Sequence, residues 1–158
     1  MRKVHIYDTT LRDGAQSEDV SFTVEDKVQI AERLDALGVH YIEGGWPGSN
    51  PRDEEFFRAV KRAGLRHAKV AAFGSTARAG VRPSEDRNLR LCLKAETSVI
   101  TIVGKTWDLH VREDLRIPLE QNLEVLHDSM AYPRKHADEV MFDAEHFFDG
   151  LGANREYT

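Results

Sequence analysis

Short β-branched runs alternate with stretches of helical periodicity along the whole chain, and this alternation constrains the fold more than any other feature. Strand, helix and strand in repeated succession predict βαβ units, hence a parallel sheet with helices packed on it. The first run, Val4 to Tyr7, leads into a polar loop from Asp8 to Phe22. The next segment places Val24, Val28, Ala31, Leu34 and Leu37 at helical spacing, opens on a Thr23/Asp26 capping box and stops at Gly38. A second run, Val39 to Trp46, passes through Pro47-Gly48-Ser49-Asn50 into a helix with Asn50 as N-cap and Pro51 at its first position. Phe56, Val60 and Ala63 line one face of that helix, and Gly64 ends it. A third strand is expected over Ala68–Phe73, with a helix over Ser84–Lys94, and a fourth strand over Ser98–Val103. After an insertion from Gly104 to Ile117, Leu119, Leu123, Leu126 and Met130 form an apolar helical stripe limited by Pro133. The fifth strand is expected over Glu139–Asp143, followed by a loop from Ala144 to Gly152.

The strand count leaves two architectures. A (β/α)₈ barrel needs about 250 residues and eight strands, whereas five strands in 158 residues suit an open, doubly wound sheet. The loops argue for the barrel: the polar segments Asp8–Glu18, Gly44–Asn50, Gly74–Pro83, Gly104–Glu113 and Asp143–Gly150 all follow strands, where a barrel collects its chemistry. Composition narrows function further. With 41% hydrophobic residues the chain is not dominantly disordered, and 22 basic against 27 acidic residues, without a block of one sign, argue against nucleic acid or a membrane as partner. No apolar run reaches the roughly 20 residues of a membrane span. Met1-Arg2-Lys3 leads into a strand-like stretch rather than a signal-peptide core, so a cytoplasmic location is expected. Cys92 is the only cysteine, so a metal here must be held by oxygen and nitrogen donors.

The densest chemistry lies in Asp8-Thr9-Thr10-Leu11-Arg12-Asp13-Gly14-Ala15-Gln16. Carboxylate oxygens suit a hard divalent cation, and an adjacent arginine offers a fixed fork of donors to a carboxylate or enolate bound there. Read as structure alone, the same loop is a solvated Asp-Gly turn.

Four stretches carry a resemblance: Tyr7-Asp-Thr-Thr-Leu-Arg-Asp-Gly14, Tyr41-Ile-Glu-Gly-Gly-Trp-Pro-Gly-Ser-Asn-Pro51, Gly104-Lys-Thr-Trp-Asp-Leu-His-Val111 and Phe142-Asp-Ala-Glu-His-Phe-Phe-Asp-Gly150. Together they resemble the DRE-TIM metallolyase superfamily, which holds the 2-isopropylmalate and homocitrate synthases and hydroxymethylglutaryl-CoA lyase, and within it the citramalate synthase branch. The resemblance runs from Lys3 to about Tyr157. It implies an α/β fold, the first five strands of a truncated (β/α)₈ TIM barrel, with residues 1–158 forming one partial domain. It implies a metal-dependent, Claisen-type acyl transfer from acetyl-CoA to pyruvate, giving (R)-citramalate and CoA in isoleucine synthesis. Asp13 is then the ligand for Mg²⁺, Mn²⁺ or Zn²⁺, and Arg12 holds the 2-keto acid and offsets charge on its alkoxide. Gln16 lines the same pocket, and Glu145, in the loop after the fifth strand, serves the acid–base step. Homo-oligomers are implied as well.

The His-x-His pair of that family is missing among histidines 5, 40, 67, 110, 127, 136 and 146. An unfinished chelate binds a cation weakly, so the chain by itself is expected to be inactive or nearly so. Glu43 reads either as support for the substrate site or as a strand-end salt bridge, with Arg12 as its candidate partner. Asp8 reads as a partner of Arg12 or of the metal. Lys105 reads as solvated charge or as a CoA phosphate contact, His146 as a residue orienting Glu145 or as a surface histidine, and Phe147 and Phe148 as packing. The alternatives to the citramalate reading are another 2-keto acid as acceptor, an acyl-CoA lyase, and a non-catalytic, ligand-binding open α/β module.

Overall fold

The elements follow one another as β1 (Tyr7–Asp8), α1 (Val24–Ala36), β2 (Tyr41–Gly45), α2 (Pro51–Val60), β3 (Lys69–Ser75), α3 (Arg87–Lys94), β4 (Val99–Lys105), α4 (Asp108–His110), α5 (Leu119–Ala131), β5 (Glu139–Glu145) and α6 (Phe147–Ala153). They come from a computed structural model that describes residues 3–158, and Met1 and Arg2 lie outside it. All five strands are parallel and stand in the sheet in chain order, β1 to β5. That order decides between the two architectures, because a doubly wound sheet reverses direction at a switch point. Crossovers that all step the same way, on a twisted sheet, curl it instead into an arc of a (β/α)₈ barrel.

Two layers cover the arc. On the concave face Tyr7, Tyr41, Ala71, Val99 and Met141 pack together. On the convex face Ile42 and Ala72 meet Phe56, Phe57 and Val60 of α2, while Ile100 and Ile102 meet Leu89 and Cys92 of α3. Gly44, Gly74 and Gly104 lie near the ends of three successive strands. A Cβ there would strike Phe56 of α2, Cys92 of α3 and Leu126 of α5 respectively, so each glycine admits a helix to the sheet. Gly44 is also the extra residue of a bulge, since Glu43 pairs with Ala71 and Gly45 with the next residue, Ala72.

Both expected caps are present: Thr23 and Asp26 close a reciprocal capping box, and Asn50 accepts from the Asp53 N–H. Elsewhere the strands and helices differ from expectation for identifiable reasons. β1 keeps only Tyr7–Asp8 in its ladder, and Val4 and Ile6, at 78% and 56% exposed, have no covering layer among the described residues. β5 runs on to Glu145, which is therefore a strand residue and not a loop residue. The expected loop after it is α6, whose glycines mask its helical character in the sequence. A Cβ at Gly150 would come within 2.7 Å of the Thr158 hydroxyl and 2.9 Å of the Thr106 carbonyl oxygen, closer than ordinary contact. In α5 the buried positions are the polar Asn122 and Ser129, and Leu123 of the apolar stripe is exposed. Asn122 donates to the Lys105 carbonyl and the Tyr157 hydroxyl, while the Ser129 hydroxyl accepts from the Ala77 N–H. Phe148 is 84% exposed, so the packing role expected of it is not realised here. Among the described residues no helix is long and apolar enough to cross a membrane.

Three buried charges, Lys27, Asp53 and Asp35, tie the helices to each other and to the segments that enter and leave the sheet. Lys27 of α1 donates to Asp53 of α2 at 2.6 Å, and Asp53 also accepts from the Trp46 N–H at 2.8 Å, fixing the loop after β2. Asp35 accepts from the backbone N–H groups of Arg66, His67 and Ala68 and thereby orders the approach to β3. Desolvation opposes ionisation of Asp35, but the three N–H groups together outweigh it and hold its carboxyl below the ordinary aspartate value.

Removing one member of a buried pair leaves the other uncompensated, so Lys27→Ala is expected to cost about 3–5 kcal/mol in urea unfolding. Lys61→Ala, at the exposed pair with Glu96, is expected to leave the midpoint unchanged. The lowered value of Asp35 contributes stability above its unfolded pKa that is lost as pH falls through the folded value. Asp35→Asn should therefore flatten the acid limb of a stability–pH profile, and an unchanged limb would count against the N–H cradle.

Candidate active site

Strand C-termini of the arc meet at one mouth, where β3, β4 and β5 send Phe73, Val103, Asp143 and Glu145 and the loops after β1 and β2 add Arg12, Asp13 and Trp46. Glu43 of β2 is 2% exposed and accepts two short hydrogen bonds, from Arg12 Nε at 2.5 Å and from the Tyr7 hydroxyl at 2.6 Å. The Tyr7 hydroxyl also lies 2.7 Å from the Thr101 hydroxyl of β4, so one chain of polar contacts runs from the second strand through the first to the fourth. Burial, then the charge of Glu43, pushes the Tyr7 hydroxyl far above its usual range, so it stays protonated and donates. Burial likewise raises Glu43, against the opposing hydrogen bonds from Tyr7 and Arg12.

Arg12 is thereby held from three sides. Glu43 takes its Nε, Asp13 takes Nη1 at 3.0 Å, and its Cζ stands 3.9 Å above the centre of the Phe73 ring. Nη2 has no hydrogen-bond partner among the described residues. The turn beneath is fixed by the Thr9 carbonyl, which accepts from the N–H groups of Arg12, Asp13 and Gly14.

A cavity of about 620 Å³ opens at this mouth, lined by Arg12, Asp13, Trp46, Phe73, Asp143 and Glu145 among others. The structure thus brings the adjacent Arg12 and Asp13 together with Glu145, which lies more than 130 positions further along the sequence. Gln16 lies elsewhere: it lines the neighbouring cleft between the loops after β1 and β2, and only Arg12 and Trp46 border both spaces. Glu43 touches Arg12 rather than the open cavity, so the salt-bridge alternative describes its contacts. Asp8 accepts from the Thr10 N–H and hydroxyl, closing a local turn, and does not meet Arg12.

Lys105 lies between two carboxylates, Glu145 at 3.1 Å and Asp114 at 3.3 Å, and is not a free, solvated charge. His146 does not bond Glu145. Its Nδ1 meets Asp149, its ring packs against His110 and Trp107, and its left-handed backbone, at φ 54°, turns the chain from β5 into α6. Burial pushes the Cys92 thiol up to about 12, consistent with an inert core residue.

Asp143 is the residue that sequence reading passes over, because its alternation with Met141 looks like ordinary strand periodicity. Burial raises its carboxyl; Arg12 opposes the shift, and the charges of Glu145 and Asp13 add to it. Three carboxylates around one arginine are a donor set short of positive charge, which suits a hard divalent cation. One further trio, His110, Glu145 and His146, brings a donor atom from each within 4.8 Å of the others, although Lys105 already occupies Glu145.

A family model described as HMGL-like matches residues 3–152. The chain belongs to the HMGL-like family. It is 59% identical over 158 residues to the (R)-citramalate synthase of Geobacter sulfurreducens, covering all of this chain and 30% of that protein. It is 34% identical over 145 residues to the 2-isopropylmalate synthase of Listeria innocua serovar 6a, covering 92% of this chain and 27% of that protein. The fold is similar to an HMG-CoA lyase from Acinetobacter baumannii in complex with coenzyme A and 3-methylmalate, with a TM-score of 0.60, 18% identity, and coverage of 87% of this chain and 44% of that one. The chain spans about 30% of the length of the curated relatives it matches.

If the Tyr7 hydroxyl supports buried Glu43, Tyr7→Phe leaves that carboxylate one hydrogen bond short and should cost about 1–3 kcal/mol in equilibrium unfolding. An unaltered midpoint would show that Arg12 alone satisfies Glu43.

Proposed function

We propose that this chain forms the first part of the catalytic mouth of an (R)-citramalate synthase, which condenses acetyl-CoA with pyruvate and releases CoA. The observation that carries the reading is the single cavity shared by Arg12, Asp13 and Glu145. Identity of 59% to a citramalate synthase against 34% to a 2-isopropylmalate synthase favours pyruvate as the keto acid.

Arg12, anchored by Glu43 and flattened on Phe73, keeps Nη2 for the keto-acid carboxylate and for the alkoxide that develops from its carbonyl. Asp13 is the metal ligand of this chain, and a divalent cation bound there supplies Lewis-acid polarisation of the keto group. Glu145, held by Lys105, takes the methyl proton of the acetyl group, and the resulting carbanion forms the new carbon–carbon bond at the keto carbon. Water then cleaves the thioester, giving the second carboxylate and free thiol. Trp46 and Phe73 screen the wall of the mouth from solvent.

Mn²⁺ titration of the purified chain tests the assignment: Asp13→Asn should weaken binding on the order of tenfold, about 1.4 kcal/mol, with an unchanged circular dichroism spectrum. Pyruvate should bind the Mn²⁺-loaded chain more tightly than 2-ketoisovalerate, and Arg12→Gln should abolish that binding. The reverse preference would transfer the reading to a 2-isopropylmalate synthase. Incubated with acetyl-CoA and pyruvate, the chain alone is expected to release no CoA above background.

A further inference from the structure

One cluster of ligand-type side chains stands at the C-terminal end of β5, and the reaction proposed above uses only its carboxylate. Donor atoms of His110, Glu145 and His146 lie within 4.8 Å of one another, and the two imidazoles meet edge to face with 4.7 Å between ring centres. Each is placed by its own segment. His110 ends α4, whose Asp108 pairs with Arg112 and accepts from the Asn154 amide. Glu145 ends β5, and its carbonyl accepts from the Thr106 hydroxyl at 2.7 Å. Trp107 packs against both imidazoles and holds them together.

The two histidines have nitrogens left to give. His146 Nδ1 stands 2.9 Å from an Asp149 carboxylate oxygen. A carboxylate only accepts, so the neutral ring carries its hydrogen on Nδ1 and keeps the Nε2 lone pair free, the arrangement that orients imidazoles toward metal ions. His110 Nδ1 is buried and, among the described residues, has no hydrogen-bond partner, a state that calls for a missing ligand or ion. Two imidazoles and one carboxylate are a donor set for Zn²⁺ or a similar transition ion, with water in the fourth position, and a poor one for Mg²⁺, which asks for six oxygens. Lys105 competes for Glu145, but it also reaches Asp114 at 3.3 Å and so has a second carboxylate to keep when an ion takes the first.

We propose that His110, Glu145 and His146 form a transition-metal site, separate from the cation site at Asp13, that binds Zn²⁺ in preference to Mg²⁺. Neither Asp13 nor Arg12 contributes to it, so it stands or falls independently of the reaction proposed above.

Titration of the chain with Zn²⁺, and with Co²⁺ as a probe whose visible absorption reports imidazole ligation, tests it. His110→Phe keeps a ring against Trp107, and His146→Asn keeps a residue suited to the left-handed backbone, so both variants should retain the circular dichroism spectrum. Each is expected to weaken Zn²⁺ at least about tenfold, about 1.4 kcal/mol, and to lose the Co²⁺ absorption. Asp149→Ala should weaken Zn²⁺ on the order of tenfold by releasing the His146 ring. Lys105→Met removes the competing charge and should tighten Zn²⁺ at least about threefold, an effect that a merely structural cluster would not show. Asp13→Asn should leave the site unchanged. Unaltered Zn²⁺ affinity in both histidine variants would overturn the proposal, and loss of Zn²⁺ binding in Asp13→Asn would assign the ion to the mouth instead. Displacement of Zn²⁺ by an equal concentration of Mg²⁺ would overturn the preference read from the donor set. Failure of pyruvate to bind the Mn²⁺-loaded chain would remove the proposed reaction and leave this site intact.

Discussion

A carboxylate with 2% exposure cannot stand alone inside a parallel sheet, and the arrangement of the mouth follows from how Glu43 is satisfied. Its two partners come from β1 and from the loop that β1 enters, so the shortest strand of the sheet is tied to its neighbour by side chains as well as by a two-residue ladder. The same contacts remove rotamer freedom from Arg12 before any ligand arrives. Phe73 beneath the guanidinium and Asp13 beside it complete a setting in which one nitrogen is left free, and that pre-organisation is what gives a charged loop a donor of fixed direction.

The outer architecture was largely legible in the sequence because its signals are local. Caps at Thr23 and Asn50, the stops at Gly38 and Gly64, and the alternation of strand and helix all act within a few residues. Strand order is not local, and only the clustering of polar segments after strands pointed toward the barrel. Periodicity misled at α5, where Leu123 lies on the exposed side and Asn122 and Ser129 turn inward, because their amide and hydroxyl reach backbone groups of neighbouring segments. Glycines hid α6 for the opposite reason: a small residue that signals a turn in isolation here permits contact with the chain at Thr106.

Within the mouth, Arg12, Asp13 and Glu145 were legible because charged residues immediately after strands are conspicuous. Gln16 looked equivalent, yet the short helical turn over Gly14–Gln16 carries it toward the adjoining cleft. Asp143 and Phe73 were invisible because an inward strand residue is indistinguishable from core in one dimension. The lateral edges of the arc tell a related story. Val4 and Ile6 at one edge and Phe142 at the other expose apolar surface in a sheet whose relatives are more than three times as long.

The three rim glycines carry a consequence for how such a chain can diversify. Each lies under the helix that follows a polar segment, so a single added methyl would press on Phe56, Cys92 or Leu126 and, through it, on the helix that carries that segment. Sequence drift is therefore cheaper in the segments themselves than in the ring just beneath them, so new specificities can arise above a more constrained foundation.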